Sequence, residues 1–214
     1  MKKQKSNWEI TNRNVKVVIL DVDGVLNHQK FYDWRSKQMT AGKWKPVKGL
    51  DNFSPESIKY LNMLTDATGA KIVLSASMRF DGTIPQLQKL FKRAGVTGDI
   101  IGRTPFLQSI TSPLMSKETS ISTPRGIEIR WWLNEQGFKR ISWSKSSQAE
   151  KLKKSRVTNY VILDDDSDML LEQQEHFVKC NAYKDGFNEK CLQKAINILN
   201  MDVNKLYAKT QDWL

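Results

Sequence analysis

Apolar positions along this chain follow two alternating patterns. Val15–Leu20 is an apolar run of the kind found in a strand buried on both faces of a parallel sheet. "KIVLS" (Lys71–Ser75), "DII" (Asp99–Ile101), "NYVILDDD" (Asn159–Asp166) and "HFVKCN" (His176–Asn181) predict four more short strands. Between them the apolar residues repeat at helical spacing. Ile58, Leu61 and Leu64 follow "SPES", where Ser54 can cap a helix, Pro55 can open it, and Gly69 stops it. Ile84, Leu87 and Phe91 mark a helix from about Thr83 to Arg93. Ile129, Trp132 and Leu133 mark another in "RGIEIRWWLNEQG", ending at Gly137. Leu192, Ala195, Ile196 and Leu199 mark a last one, capped by Asn188. Strands alternating with helices predict an α/β layer fold around a mostly parallel five-stranded sheet. Ligands in such folds bind beyond the carboxyl ends of the strands.

The connecting stretches predict one domain over 15–200 with a polar lead (1–14) and a tail (201–214). Residues 28–54 read as an irregular basic and aromatic flap or small insert, 103–124 as a Ser/Thr/Pro-rich loop, and 142–158 as a basic insert. The full 214 residues, 39% hydrophobic and 27% charged, are enough for one sizeable core. No apolar run approaches the length of a membrane span, and "MKKQKSNWEI" lacks the apolar core of a signal peptide, so a cytoplasmic location is expected. Cys180 and Cys191 lack metal-ligand spacing and are expected to be ordinary reduced thiols. The net charge of +11 favours an anionic partner, nucleic acid first; a basic surface that only aids solubility is the alternative.

Chemistry concentrates at the strand ends. Asp21 and Asp23 follow the first strand, Ser75 the second, and Asp164, Asp165 and Asp166 the fourth. Carboxylates packed together repel and resist desolvation, so they need a cation or protons. Magnesium, a hard ion that prefers oxygen, suits them. Two side chains one residue apart on an extended chain point the same way, so one carboxylate of Asp21-Val22-Asp23 can attack while the other moves a proton. Gly24 lets the chain turn at once. Arg79 has the forked donors to clamp a phosphate.

These residues resemble a known family. "ILDVDGVLN", "IVLSAS" and "VILDDDSD" are similar, in order and spacing, to the first, second and fourth motifs of the haloacid dehalogenase superfamily. The longer strings "IVLSASMR", "RGIEIRWWL", "YVILDDDSDM" and "HFVKCNAYKDGF" look most like its branch of domains in Swiss Army Knife RNA repair proteins. The resemblance implies a Rossmann-like three-layer sandwich with a minimal cap, and a magnesium-dependent phosphatase working through a phosphoaspartate. Asp21 would then be the nucleophile and a magnesium ligand, and Asp23 the general acid and base, with its backbone carbonyl on the metal. Ser75 would bind a phosphoryl oxygen, Asp164 and Asp165 the metal, and Asp168 would anchor the loop. Arg125 is the choice for the basic third motif, with Lys117 its rival.

Gly24, Asn27, Arg79, Tyr32 and Trp34 are the expected substrate contacts. In 28–54, Phe31, Tyr32, Trp34 and Trp44 interleave with lysines and Arg35, a composition that can stack bases and track phosphates or can simply pack under a solvated flap. His28 reads as a loop histidine near substrate or a plain one. The expected substrate is phosphorylated: a nucleic-acid end or a small metabolite. A noncatalytic nucleic-acid-binding or structural protein that kept the fold is the competing class. Calcium at "DDDSD" lacks the glycine spacing of an EF-hand loop. Oligomeric state is left open.

Overall fold

The computed structural model describes residues 14–45, 53–107, 123–138 and 155–202. Lys117, most of the 142–158 insert, the 1–13 lead and nearly all of the tail lie outside the described residues. Five strands, β1 (Val15–Leu20), β2 (Lys71–Leu74), β3 (Ile100–Arg103), β4 (Val157–Asp164) and β5 (Phe177–Lys179), form one parallel sheet in the order β3-β2-β1-β4-β5. Five described helices surround it: α1 (Gln29–Thr40), α2 (Pro55–Thr68), α3 (Ile84–Arg93), α4 (Arg125–Glu135) and α5 (Glu189–Asn200).

The central strand is the reason for the layering. Val17, Val18, Ile19 and Leu20 are all fully buried, and side chains alternate between the faces of a strand. Val18 and Leu20 pack with Ile58, Leu61 and Leu64 of α2, Phe91 of α3 and Leu192 of α5. Val17 and Ile19 pack with Ile129, Trp132 and Leu133 of α4. Each such side chain contributes about 1.5–3 kcal/mol of burial. The result is an α/β/α sandwich with the predicted five parallel strands.

Local signals explain the helix ends. Ser54 accepts from the Ser57 N–H, Pro55 begins α2, and Gly69 closes it in the left-handed conformation at φ 67°. Asn188 caps α5 by accepting from the Cys191 N–H. In α5 the inward stripe is Leu192, Ala195, Ile198 and Leu199; Ile196 is only half-buried, so the helix is rotated slightly from its expected face. The larger departure is in 28–54, expected to be irregular. Its first part is helix α1, free of Gly and Pro, started by His28 at the N-cap, whose Nδ1 lies 3.2 Å from the Phe31 nitrogen. A histidine cap and a mixed polar surface carry little amphipathic signal, which is why the pattern missed it.

Candidate active site

Sheet register assembles the site. Leu20 of β1 pairs with Leu74 of β2 and with Leu163 of β4. The next residues, Asp21, Ser75 and Asp164, therefore stand level on three adjacent strands. The ladder continues through them: the Asp21 N–H donates to the Leu163 carbonyl (2.9 Å) and the Ser75 N–H to that of Leu20 (2.8 Å). This is also where the strand order reverses, the switch point at which open parallel sheets bind ligands.

Here one oxygen from each of Asp21, Asp164 and Asp165 lies within 4.8 Å of the others. Asp21 and Asp164 are 6% and 2% exposed. Burial pushes the Asp21 carboxyl up to about 6, with Asp23 and Asp165 adding repulsion. Burial and the Asp21 charge push Asp164 up to about 7. Asp165, less enclosed, is also raised, chiefly by burial. Asp164 Oδ1 accepts from the Asp166 N–H (2.9 Å), while its Oδ2 is buried without a partner. Three crowded carboxylates, one with an orphaned oxygen, form a set that a hard divalent cation would satisfy. Magnesium fits this chemistry.

The turn after β1 is closed by Asn27. Its side-chain oxygen accepts from the Gly24 N–H and its amide donates to Asp23 Oδ1, both at 2.9 Å. Gly24 has φ 74°, and a Cβ there would collide with the Asp165 carboxyl, so glycine is what lets the two loops meet. The Asp23 side chain is exposed and stands outside the three-carboxylate cluster, near enough for its charge to be felt by Asp21 and Asp165. The acidic loop holds the start of α4, whose first residue is Arg125. Its N–H donates to Asp168 Oδ2 (2.6 Å) and that of Gly126 to the Asp168 carbonyl (3.3 Å), so Asp168 is the expected anchor. A Cβ at Gly126 would sit 2.6 Å from the Leu170 nitrogen, which shows how close the helix approaches. The positive charge of Arg125 draws both Asp21 and Asp164 downward, against their burial.

A family model described as the HAD domain in Swiss Army Knife RNA repair proteins matches residues 17–191. The chain belongs to this family. In this HAD domain the matched span runs from β1 into the first turn of α5 and includes every residue of the site just described. No curated protein and no solved structure matches the chain.

One other feature of the HAD domain differs from expectation. Arg79 is not free to clamp a phosphate. It is 3% exposed, and its five N–H groups go to the carbonyls of Ser75, Ala76, Thr104 and Pro105 and to Glu128 Oε2 at 2.6 Å. It braces the loop that carries Ser75. Its partner Glu128, buried on α4, also accepts from the Leu107 N–H (3.1 Å), and Thr104 places its hydroxyl 3.4 Å from that of Ser75. Sequence reading passed over both. Glu128 was detectable as an acid on the α4 stripe that holds Arg125 and Trp132 at i−3 and i+4.

Tyr32 and Trp34 lie on α1. The Trp34 ring stacks on Phe31 (5.9 Å) and meets Trp44 edge-on (5.7 Å), and the Arg35 guanidinium lies 4.9 Å from the Tyr32 ring. His28 is buried, with Nδ1 2.8 Å from the Lys184 carbonyl, so it joins α1 to the loop before α5. Cys180 and Cys191 are free thiols that interact: a hydrogen bond from Cys180 lowers the Cys191 thiol, and the same bond raises Cys180. Among the described residues no helix is long and apolar enough to cross a membrane.

Proposed function

We propose that this HAD domain is a magnesium-dependent phosphomonoesterase that works through a phosphoaspartate on Asp21 and acts on the terminal phosphate of a nucleic acid. The observation that carries the reading is the gathering of Asp21, Asp164 and Asp165 at the switch point, with an orphaned oxygen among them. Asp21, Asp164 and Asp165 would hold the ion, with the Asp23 backbone carbonyl as a further donor. When bound, magnesium would offset their mutual repulsion and the negative charge of the phosphoryl group.

The rest of the chemistry belongs to the chain. An Asp21 carboxylate oxygen attacks phosphorus, the bond from phosphorus to the leaving oxygen breaks, and Asp23 gives that oxygen its proton. Asp23 suits this role because it is exposed and oriented by Asn27. Asp23 then takes a proton from water, the water oxygen attacks phosphorus, and the bond to Asp21 breaks, releasing inorganic phosphate. The Ser75 hydroxyl, steadied by Thr104, and the Arg125 guanidinium bind the phosphoryl oxygens. Gly24 keeps the pocket open to the substrate.

A polymer end is favoured over a small metabolite by the net charge of +11, the family description, and an insert between the first two motifs too small to form a domain over the site. The test is phosphate release from 5′- and 3′-phosphorylated oligonucleotides and from a small phosphate ester, with and without magnesium. Release from the oligonucleotide should require magnesium and fall steeply with ionic strength, because phosphate contacts release counterions. Equal activity on both substrates at all salt concentrations would instead mean a metabolite phosphatase. Oligonucleotide binding with no release of phosphate from any substrate would mean a noncatalytic binding protein.

A further inference from the structure

Two phenylalanines stand exposed on the loops that follow Ser75 and Thr104, and the mechanism above does not use them. Phe80 ends the 3-10 turn Ser77–Phe80 after β2, and Phe106 lies in the loop after β3. They are 45% and 66% exposed and touch edge-on at 5.8 Å. Phe80 is five residues from Ser75. Phe106 is two residues, at most about 7 Å of chain, from Thr104, whose hydroxyl lies 3.4 Å from that of Ser75.

Hydrogen bonds tie together the loops that carry them. Arg79 ties the Ser75 loop to Thr104 and Pro105, and Glu128 ties Leu107 to Arg79. The guanidiniums of Arg79 and Arg103 lie 4.5 Å and 5.4 Å from the Phe80 ring centre. Arg103 is itself held by the carbonyls of Arg79 and Gly82. Large apolar rings are normally buried. Two in contact, with the Arg103 guanidinium against one of them and a phosphoryl-binding serine on the same loop, form a surface suited to an aromatic ligand with negative charge.

We infer that Phe80 and Phe106 form a stacking platform for the base next to the terminal phosphate, so that the substrate is a single-stranded nucleic-acid end with that base unpaired; this rests on the phosphatase reading above. Every base has an aromatic face, so the platform accepts any sequence while requiring that a base be present.

The test compares a phosphorylated single-stranded oligonucleotide with one whose terminal residue is abasic. Removing the base should lower kcat/KM of the wild type roughly 5- to 150-fold, mainly through KM. Phe106→Ala should cause the same loss on the intact strand, and the two changes together should cost no more than either alone. Phe106→Trp should restore the activity. A Phe80→Ala/Phe106→Ala protein that handles the intact strand like wild type, or an abasic strand as good as the intact one, overturns the platform. A second readout separates it from the phosphatase reading. A 2-aminopurine at the terminal position should be quenched on binding Asp21→Asn protein and not on binding Asp21→Asn/Phe106→Ala protein. If the wild type releases no phosphate but this quenching occurs, the platform stands and the phosphatase reading falls. If phosphate is released but the base is neither quenched nor required, only the platform falls. If neither is seen, both fall.

Discussion

Two groups of charge are buried at the carboxyl edge of the sheet, and they follow opposite rules. Around Arg79 every N–H has an acceptor and the charge is matched by Glu128. Around Asp21 and Asp164 like charges are crowded together, an oxygen is left without a partner, and both carboxyls are pushed toward holding protons. The Arg79 group is complete without anything else, so its role is to hold loops. The aspartate group leaves like charges unmatched and an oxygen without a partner, and the proposed metal site rests on that difference. Burial and charge alone did not separate the two; satisfaction of the polar atoms did.

The comparison can be broken first at its chemical end. Asp21→Asn should lower phosphate release by at least about 10³-fold, because the neutral amide cannot accept the phosphoryl group. Circular dichroism should show an intact fold; turnover within tenfold of wild type would remove Asp21 from the mechanism. The next effect belongs to the structural group. Glu128→Gln leaves Arg79 buried without its counter-charge and should cost about 3–5 kcal/mol in urea unfolding, whereas Arg79→Met/Glu128→Leu should recover most of that loss. A smaller effect is expected at the boundary between the loops. Gly24→Ala forces a Cβ into the Asp165 carboxyl at a left-handed position. It should cost about 1–3 kcal/mol and weaken magnesium binding in calorimetry.

The smallest effect sharpens the contrast by sign. Asp21 and Asp164 hold protons more tightly in the fold, up to about 6 and 7, than in the unfolded chain. Between about pH 4 and 7 the folded state therefore binds more protons. The associated stability is fully present below about pH 4 and is lost as pH rises through 6 and 7. In a chelator the melting temperature should fall over that range, and magnesium at pH 8 should raise it again. Asp164→Asn should flatten the pH slope and raise the metal-free stability at pH 8 by on the order of 1–2 kcal/mol, and the melting temperature with it. It should also remove the response to magnesium. A metal-free variant less stable than wild type at pH 8 would mean that Asp164 is structural, like Glu128.

The strands and most helices were legible because burial forces apolar residues into short runs and helical stripes. Asp21, Ser75, Asp164 and Asp165 were legible because polar residues directly after such runs must lie at strand ends. Helix α1 was not, because its start depends on a histidine cap and its surface is mixed. The phosphate role expected of Arg79 failed for a related reason. Its spacing from Ser75 suggested a clamp, but its acceptors come from residues 104, 105 and 128, on other elements.

By itself, then, the sequence determined which residues are buried, where the strands end, and that acids occupy those ends. These are consequences of local patterning along one chain. Only the tertiary structure decided that Leu20 pairs with both Leu74 and Leu163, which brings three carboxylates within reach of a single ion and places Ser75 beside them. It also decided that Arg79 is matched and Asp164 is not, and that Phe80 meets Phe106. Partnership between residues far apart in sequence depends on register and on which groups are enclosed together, and neither is encoded in any one stretch of the chain.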